Sequence, residues 1–327
     1  MFQNVINLIF NKKSLQKKRK LFFIVRCSID NVSKQFVIIT VYKDIIWRIF
    51  MTKIIDGKEY SMQIEKEIKE EIKGCIIRPS VAVIEVGKNA ISEMCIRMKE
   101  EACNRVGMYF RHYGFEEGTP ELTIINKIKE LNNDEYINGI VLQLPIPENY
   151  NEKRLINTII NSKDIDGITD INVGRLISGR KTIVPCAVLS ILKILEDNEI
   201  ELSGKEVTII GKEKLIGQPL INVLLSKGAT VTICHSLTTD LKKHTKNADI
   251  IISALGIKNL ITDDMVSKDA VVLDIGYILE GKKIYGDVDF DKVSKKVSLI
   301  TKQPGGIGPL IVSMFLKNIL MCYNSKK

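Results

Sequence analysis

The chain has 327 residues, 45% of them hydrophobic, which is enough for two domains with real cores. Its net charge of +9 sits at the front: residues 1–50 hold ten basic and two acidic side chains, whereas 51–327 hold 38 and 37. A nearly neutral body excludes a phosphate-backbone binder, and without a run of about 18 uncharged apolar residues no transmembrane helix is expected.

Residues 1–50 carry short apolar segments, Leu21–Val25 and Phe36–Tyr42, broken by charge. The stretch is acid-poor but rich in Lys and poor in Ser, so it reads either as a targeting segment or as an appended tail or upstream sequence included by a misplaced start. Met51-Thr-Lys-Ile-Ile-Asp-Gly-Lys58 has the look of a natural beginning, which favours the second reading. Seven cysteines are scattered without a CxxC pair. They suit a reducing compartment, the cytoplasm, or an organelle if residues 1–50 are a targeting segment. The histidines (His112, His235, His244) show no metal-ligand spacing, so no metal is expected.

From there the spacing predicts a helix over 64–76 with a charged outer face. A buried strand follows over 80–86. A helix over 92–106 has apolar positions Met94, Cys95, Met98, Ala102 and Val106, with Gly107 as its C-cap. Residues 139–144 form another buried strand. Strands alternating with helices predict a parallel sheet covered on both faces. A second unit opens near Leu202 with a strand over 207–211. A helix from Gly217, whose Pro219 suits the first turn, runs to Gly228. Short strands over 230–235, 248–255 and 270–276 complete a dinucleotide-binding βαβ pattern. A last helix, about 308–322, follows a glycine-rich loop. The expected class is α/β: a basic extension (1–50), a first α/β domain (51–195), a Rossmann-like domain (196–308), a cleft between them, and a terminal helix (309–327) packing back on the first.

Three places carry candidate chemistry. The stretch from Gly139 to Leu176 presents Gln143 and the acidic turn Asp164-Ile165-Asp166-Gly167 at the ends of apolar segments. That suits a polar heterocycle held against a dry wall. Asp166 also reads as a plain turn aspartate. A calcium loop is excluded, because Ile168 stands where an oxygen ligand is needed. Cys95 and Lys99 lie one turn apart on one helix face. An edge lysine is usually a snorkelling surface residue, but half-buried beside apolar groups it can accept a proton. The turn Gly211-Lys-Glu-Lys-Leu-Ile-Gly217 aims a helix N-terminus at phosphate. After the next strand, His235-Ser236-Leu237-Thr238 lacks the acid that NAD-binding units place on the ribose. Neutral Ser236 with Lys212 therefore points to NADP over NAD; the other reading is a solvated lysine and a turn serine.

Ten stretches together resemble one family. They are Lys53–Lys58, Val86-Gly-Lys-Asn89 leading to Lys99, Gln143-Leu-Pro-Ile-Pro147, Lys163-Asp-Ile-Asp-Gly167, Ile171–Leu176, Pro185-Cys186, Gly211–Pro219, Ala229–Ser236, Gly286–Phe290 and Pro304-Gly-Gly-Ile-Gly-Pro309. In this order they resemble bifunctional methylenetetrahydrofolate dehydrogenase/methenyltetrahydrofolate cyclohydrolase over 51–327. The resemblance implies NADP-linked oxidation of 5,10-methylenetetrahydrofolate to the methenyl cation, then opening by water to 10-formyltetrahydrofolate, in a homodimer. It puts the catalytic lysine on Lys99, the glutamine that bonds it on Gln143, and the pterin-holding aspartate on Asp166. Cys95, Pro304, Gly305 and Gly306 would face the folate. Gly211, Lys212, Glu213, Gly217, Ser236 and Ile257 would face NADP.

The chain departs from that family in four places. Cys95 replaces a tyrosine that would pack on the folate and offer a hydroxyl; a thiol is smaller and a weaker donor. Ala187-Val188 replaces Thr-Pro after Cys186. Lys212-Glu213 replaces Arg-Ser, losing a bidentate fork and adding a negative charge near phosphate. Ile311 replaces a threonine. The alternative to an active bifunctional enzyme is thus a diverged member with weakened cyclohydrolase, or a non-catalytic folate- or nucleotide-binding relative.

Overall fold

The computed structural model describes residues 52–325 except 282, together with the backbone of 20–28 and 34–42. The chain divides into residues 1–52 and 53–327. In the first unit, β1 (Lys20–Ser28) and β2 (Lys34–Tyr42) form an antiparallel ribbon with Lys20 opposite Tyr42 and Ser28 opposite Lys34. The choice between targeting segment and tail otherwise lies outside the described residues.

The second unit is built on two parallel sheets. The first has the order β5-β4-β6. Its central strand β4 (Ser80–Val86) is buried throughout, so both faces are covered, as the run of Val, Ala and Ile requires. β6 (Gly139–Leu142) is equally buried, whereas β5 (Tyr109–Phe115) forms an exposed edge. α1 (Gly57–Ile72) and α2 (Ala90–Val106) pack on one face through Ile64, Ile68, Ile96, Ala102 and Cys103. α3 (Glu121–Asn133) and α4 (Glu152–Thr158) cover the other through Ile124, Ile128 and Leu155. Lys163 is buried beneath this face, its ammonium donating to the carbonyls of Leu131, Asn132 and Asp134 at the end of α3. A cation there complements the negative end of the helix.

α5 (Asp170–Ile177) and α6 (Cys186–Asp197) lead to a six-stranded Rossmann-like sheet. Its order is β3-β13-β10-β9-β7-β8, all parallel: β3 (Lys53–Ile55), β13 (Leu299–Thr301), β10 (Val271–Asp274), β9 (Ile250–Ser253), β7 (Glu206–Ile210) and β8 (Thr230–Cys234). The order turns back at β7, which pairs with β8 on one side and β9 on the other. Ligands of such sheets bind outside the carboxyl ends at that point. α7 (Gly217–Ser226) and α8 (Leu241–Thr245) connect the strands β7–β8–β9. The hairpin β11 (Ile278–Glu280) and β12 (Lys283–Tyr285) and the short α9 (Phe290–Val293) precede β13.

Although β3 comes first in this unit, it pairs with β13 at the edge of the second sheet, so Lys53–Ile55 does not join the first sheet. The closing helix α10 (Ile307–Asn324) packs back against α1, α6 and α2. It is long and apolar enough to cross a membrane, yet Leu310, Phe315, Leu316 and Ile319 are buried in the core. A buried hydroxyl pair, Ser61 Oγ to Ser313 Oγ at 2.7 Å, fixes it to α1.

Most strand boundaries lie one or two residues inside those expected, because pairing stops where the chain turns toward the rim; β4 matches and β7 begins one residue earlier. α1 begins seven residues before the expected start, since Asp56 caps it by accepting from the Lys58 N–H at 2.9 Å. The apolar face expected on α2 is rotated. Ile96, Ala102, Cys103 and Val106 enter the core, while Met94 and Cys95 are half-buried and Met98 is exposed. These three apolar side chains sit off the core stripe.

Candidate active site

Two rims carry the site, one at the carboxyl end of each sheet. At the first, Asn89 caps α2 by accepting from the Ile91 and Ser92 N–H groups, which fixes the start of the helix. Gly107, at φ +87°, ends it. Lys99, half-buried on this helix, donates to Gln143 Oε1 at 3.0 Å. Gln143 follows β6 directly and is buried. Its Nε2 donates to the Leu144 carbonyl at 2.8 Å, so the amide oxygen is the group left for the lysine. On the other side the Lys99 ammonium stands 5.4 Å from the centre of the Phe315 ring, supplied by α10.

The acidic turn divides its labour. Asp164 is almost fully buried and builds the loop: it accepts from the Gly167 N–H, the Thr169 N–H and Asn172 Nδ2 at 2.8–3.0 Å. Gly167 sits at φ +66°, and a Cβ there would meet the Ile183 carbonyl oxygen at 2.5 Å. Asp166 is only half-buried, and among the described residues no group hydrogen-bonds its carboxylate. Loss of hydration pushes that carboxyl above its ordinary range; Lys99 opposes the shift and Asp164 adds to it. Lys99, Gln143 and Asp166 thus share one place.

Two thiols border it. Burial pushes the Cys95 and Cys186 thiols up; Asp166 reinforces the shift at Cys186, and Lys99 opposes both. Protonated thiols are packing groups, not nucleophiles. Asn318 of α10 holds the segment in place. Its Nδ2 donates to the carbonyls of Ile165 and Val184, both at 2.9 Å, and reaches Cys186 Sγ at 3.5 Å. Sequence reasoning missed Asn318, whose only signal is a lone amide inside an apolar helix. The Gly305-Gly306 loop, preceded by exposed Pro304, seats on the start of α1. The Gly57 N–H donates to the Gly305 carbonyl at 2.9 Å, and a Cβ on Gly57 would fall 1.5 Å from the Gly306 oxygen.

At the second rim Gly211 leaves β7 at φ +124°, and its Cβ would meet the Ala254 carbonyl oxygen at 2.8 Å. Gly217 opens α7 so close to this turn that a Cβ would lie 2.0 Å from the Gly211 oxygen. The Glu213 side chain is exposed; its carbonyl closes the turn by accepting from Ile216 and Gln218. No side chain caps α7; the Gln218 N–H is spent on the Glu213 carbonyl and Pro219 has none, so among the described residues the Gly217 N–H is the one left at its start. Ile210 pairs with Cys234 across β7 and β8, and Lys212 and Ser236 stand two residues beyond that pair, both exposed.

Two buried aspartates, unnoticed as site builders in the sequence, support this rim. Asp287 accepts from Ser253 Oγ and from the N–H groups of Leu255 and Ile257, placing the exposed Ile257 side chain. Asp274 accepts from the N–H groups of Gly276, Asp287 and Val288. Burial pushes its carboxyl up to about 7, against the pull of those donors. The rims meet where Tyr277 Oη donates to Met94 Sδ at 3.4 Å, and where Lys214 donates to Glu152 at 3.0 Å.

Known proteins share this layout. A family model for the tetrahydrofolate dehydrogenase/cyclohydrolase catalytic domain matches residues 55–166. The model for the NAD(P)-binding domain of the same proteins matches 185–327. The bifunctional protein FolD of Methanosarcina mazei is 39% identical over 277 residues, 84% of this chain and 96% of its own. The crystal structure of the bifunctional FolD methylenetetrahydrofolate dehydrogenase/cyclohydrolase from Campylobacter jejuni is 40% identical, with a TM-score of 0.81 over 84% of this chain and 99% of that one. The Trypanosoma brucei FolD, solved with NADP cofactor and an inhibitor, is 31% identical, with a TM-score of 0.79 over 84% and 98%.

Proposed function

We infer, since the chain belongs to the tetrahydrofolate dehydrogenase/cyclohydrolase family, that this protein is a bifunctional enzyme of folate one-carbon chemistry. It oxidises 5,10-methylenetetrahydrofolate to the methenyl cation with NADP and hydrolyses that cation to 10-formyltetrahydrofolate. The observation that carries the reading is the Lys99–Gln143 pair beside a half-buried Asp166 whose carboxylate has no hydrogen-bond partner among the described residues. A non-catalytic or weakened relative is not favoured, because these three groups stand together despite the substitutions around them.

The residues of the second rim fit a dinucleotide. Gly211 and Gly217 let the turn pack backbone against backbone where a Cβ would collide, and the uncapped start of α7 offers the Gly217 N–H to phosphate. Lys212 and Ser236 would flank the ribose, where a cation and a hydroxyl suit a 2′-phosphate. Bound there, NADP supplies the hydride acceptor.

The chain's own groups account for the rest. Asp166 would accept from the amino group and ring N–H of the pterin, holding the one-carbon bridge toward the cleft. The Gly305-Gly306 loop lets backbone approach the ring. Water attacking the methenyl carbon loses a proton to Lys99 in its neutral amine form, and the resulting carbinol breaks its bond to N5, which takes the hydroxyl proton as the formyl carbonyl forms. Gln143 Oε1 holds the amine toward that water, and the Leu144 carbonyl fixes the amide.

A homodimer is part of the same proposal. Among the described residues β5 leaves one edge of its sheet unpaired, with Tyr109 exposed on it, and an open edge is a template for a second copy.

The test supplies methylenetetrahydrofolate with NADP or NAD and follows reduced cofactor and methenyl absorbance together. Reduced cofactor without methenyl accumulation, and a lower KM for NADP than for NAD, are expected. Accumulating methenyl refutes the second activity, and a preference for NAD refutes the roles of Lys212 and Ser236.

A further inference from the structure

Tyr277 lies where the two rims meet. It follows β10, and Gly276 before it is pinned against Asp287, where a Cβ would fall 2.1 Å from a carboxylate oxygen. On one side, its carbonyl lies 3.6 Å from where a Cβ on Gly256 would stand, next to Ile257 and the cofactor rim. On the other, its hydroxyl reaches α2, donating to Met94 Sδ at 3.4 Å beside Cys95 and about one turn from Lys99. The side chain is half-buried.

A thioether is a weak acceptor, so this hydroxyl gives up little by turning to a better one. Loss of hydration together with Cys95 pushes the phenol up, which keeps it a donor. Beside it α2 presents Met94 and Cys95, a flexible and a small group without a flat ring. A folate has two aromatic systems, the pterin and the aminobenzoyl ring, that gain from a rigid aromatic wall.

We propose that Tyr277 is a folate-orienting residue: from the cofactor side of the cleft it supplies the aromatic face and hydroxyl donor that Cys95 does not. This rests on the folate reading above. It makes Tyr277 a substrate-specific group at the junction of hydride donor and acceptor.

Steady-state NADPH formation is measured for the wild type, Tyr277→Phe, Tyr277→Leu and the double variant Tyr277→Leu/Cys95→Tyr. Methylenetetrahydrofolate is varied at saturating NADP, and NADP at saturating folate. Tyr277→Leu should raise the folate KM about tenfold, the worth of one aromatic contact, with the NADP KM within about twofold. Tyr277→Phe should raise it less, since it loses only the hydroxyl. Cys95→Tyr in the double variant should recover most of the loss, which a merely structural role for Tyr277 would not allow. An unchanged folate KM in Tyr277→Leu, equal rises for both substrates, or no recovery in the double variant would overturn the proposal. An inactive wild type would instead overturn the folate reading itself.

Discussion

Asn318 is the hinge between core and site, and its replacement by leucine separates the two contributions. Leucine keeps the volume but strands the carbonyl of Ile165, which is buried, and that of Val184, which is partly so. A buried acceptor without a partner costs about 1–3 kcal/mol, so the pair should cost about 2–4 kcal/mol. For a unit of this size each kcal/mol lowers Tm by about 2–4 °C, so calorimetry should find a drop of roughly 5–15 °C. Because Ile165 precedes Asp166, the loosened turn should also raise the folate KM and leave the NADP KM nearly untouched. A variant that melts within about 2 °C of the wild type, with an unchanged folate KM, would refute the assignment of Asn318 as the clamp on the acidic turn.

Gly217→Ala should raise the NADP KM at least about tenfold with folate binding kept, because the new Cβ meets backbone, the Gly211 oxygen at 2.0 Å, and no side chain can yield. Equilibrium titration with NADP checks it, and unaltered affinity would remove Gly217 from the phosphate turn. Asp274 sets a pH dependence. Unfolded, a carboxyl titrates near 3.9, whereas folded Asp274 titrates at about 7, so its contribution is fully present below about pH 4 and lost as pH rises through about 7. Tm should therefore fall from about pH 5 to pH 8, and Asp274→Asn, though less stable, should lose that slope; the same slope in both proteins would refute the assignment.

Which elements the sequence revealed follows from burial. β4, β6, β9 and β10 are covered on both faces, so each reads as a short run dominated by apolar residues, chiefly Val, Ile and Leu. β5 is an edge, and Tyr109-Phe-Arg-His-Tyr-Gly-Phe115 carries no such run. β3 and β13 are three residues each and exist through their mutual pairing across most of the chain. Gln143 stood out at the end of an apolar segment and Lys99 only through the family resemblance, since an edge lysine by itself reads as a surface residue; their 3.0 Å contact spans 44 residues and needed the fold. Asp164 and Asp166 are indistinguishable by type; only the three donors on Asp164 show which one is spent on the turn. The rotated stripe of α2 has the same lesson. Met94, Cys95 and Met98 were read as core, yet they lie off the face that enters it.

The central claim is that Lys99, positioned by Gln143, performs the hydrolytic step. Methenyltetrahydrofolate is given directly to the wild type and to Lys99→Met, and the decay of its absorbance is compared with buffer alone. Decay well above buffer for the wild type and equal to buffer for a folded Lys99→Met is the expected result; decay at the wild-type rate in Lys99→Met would contradict the account.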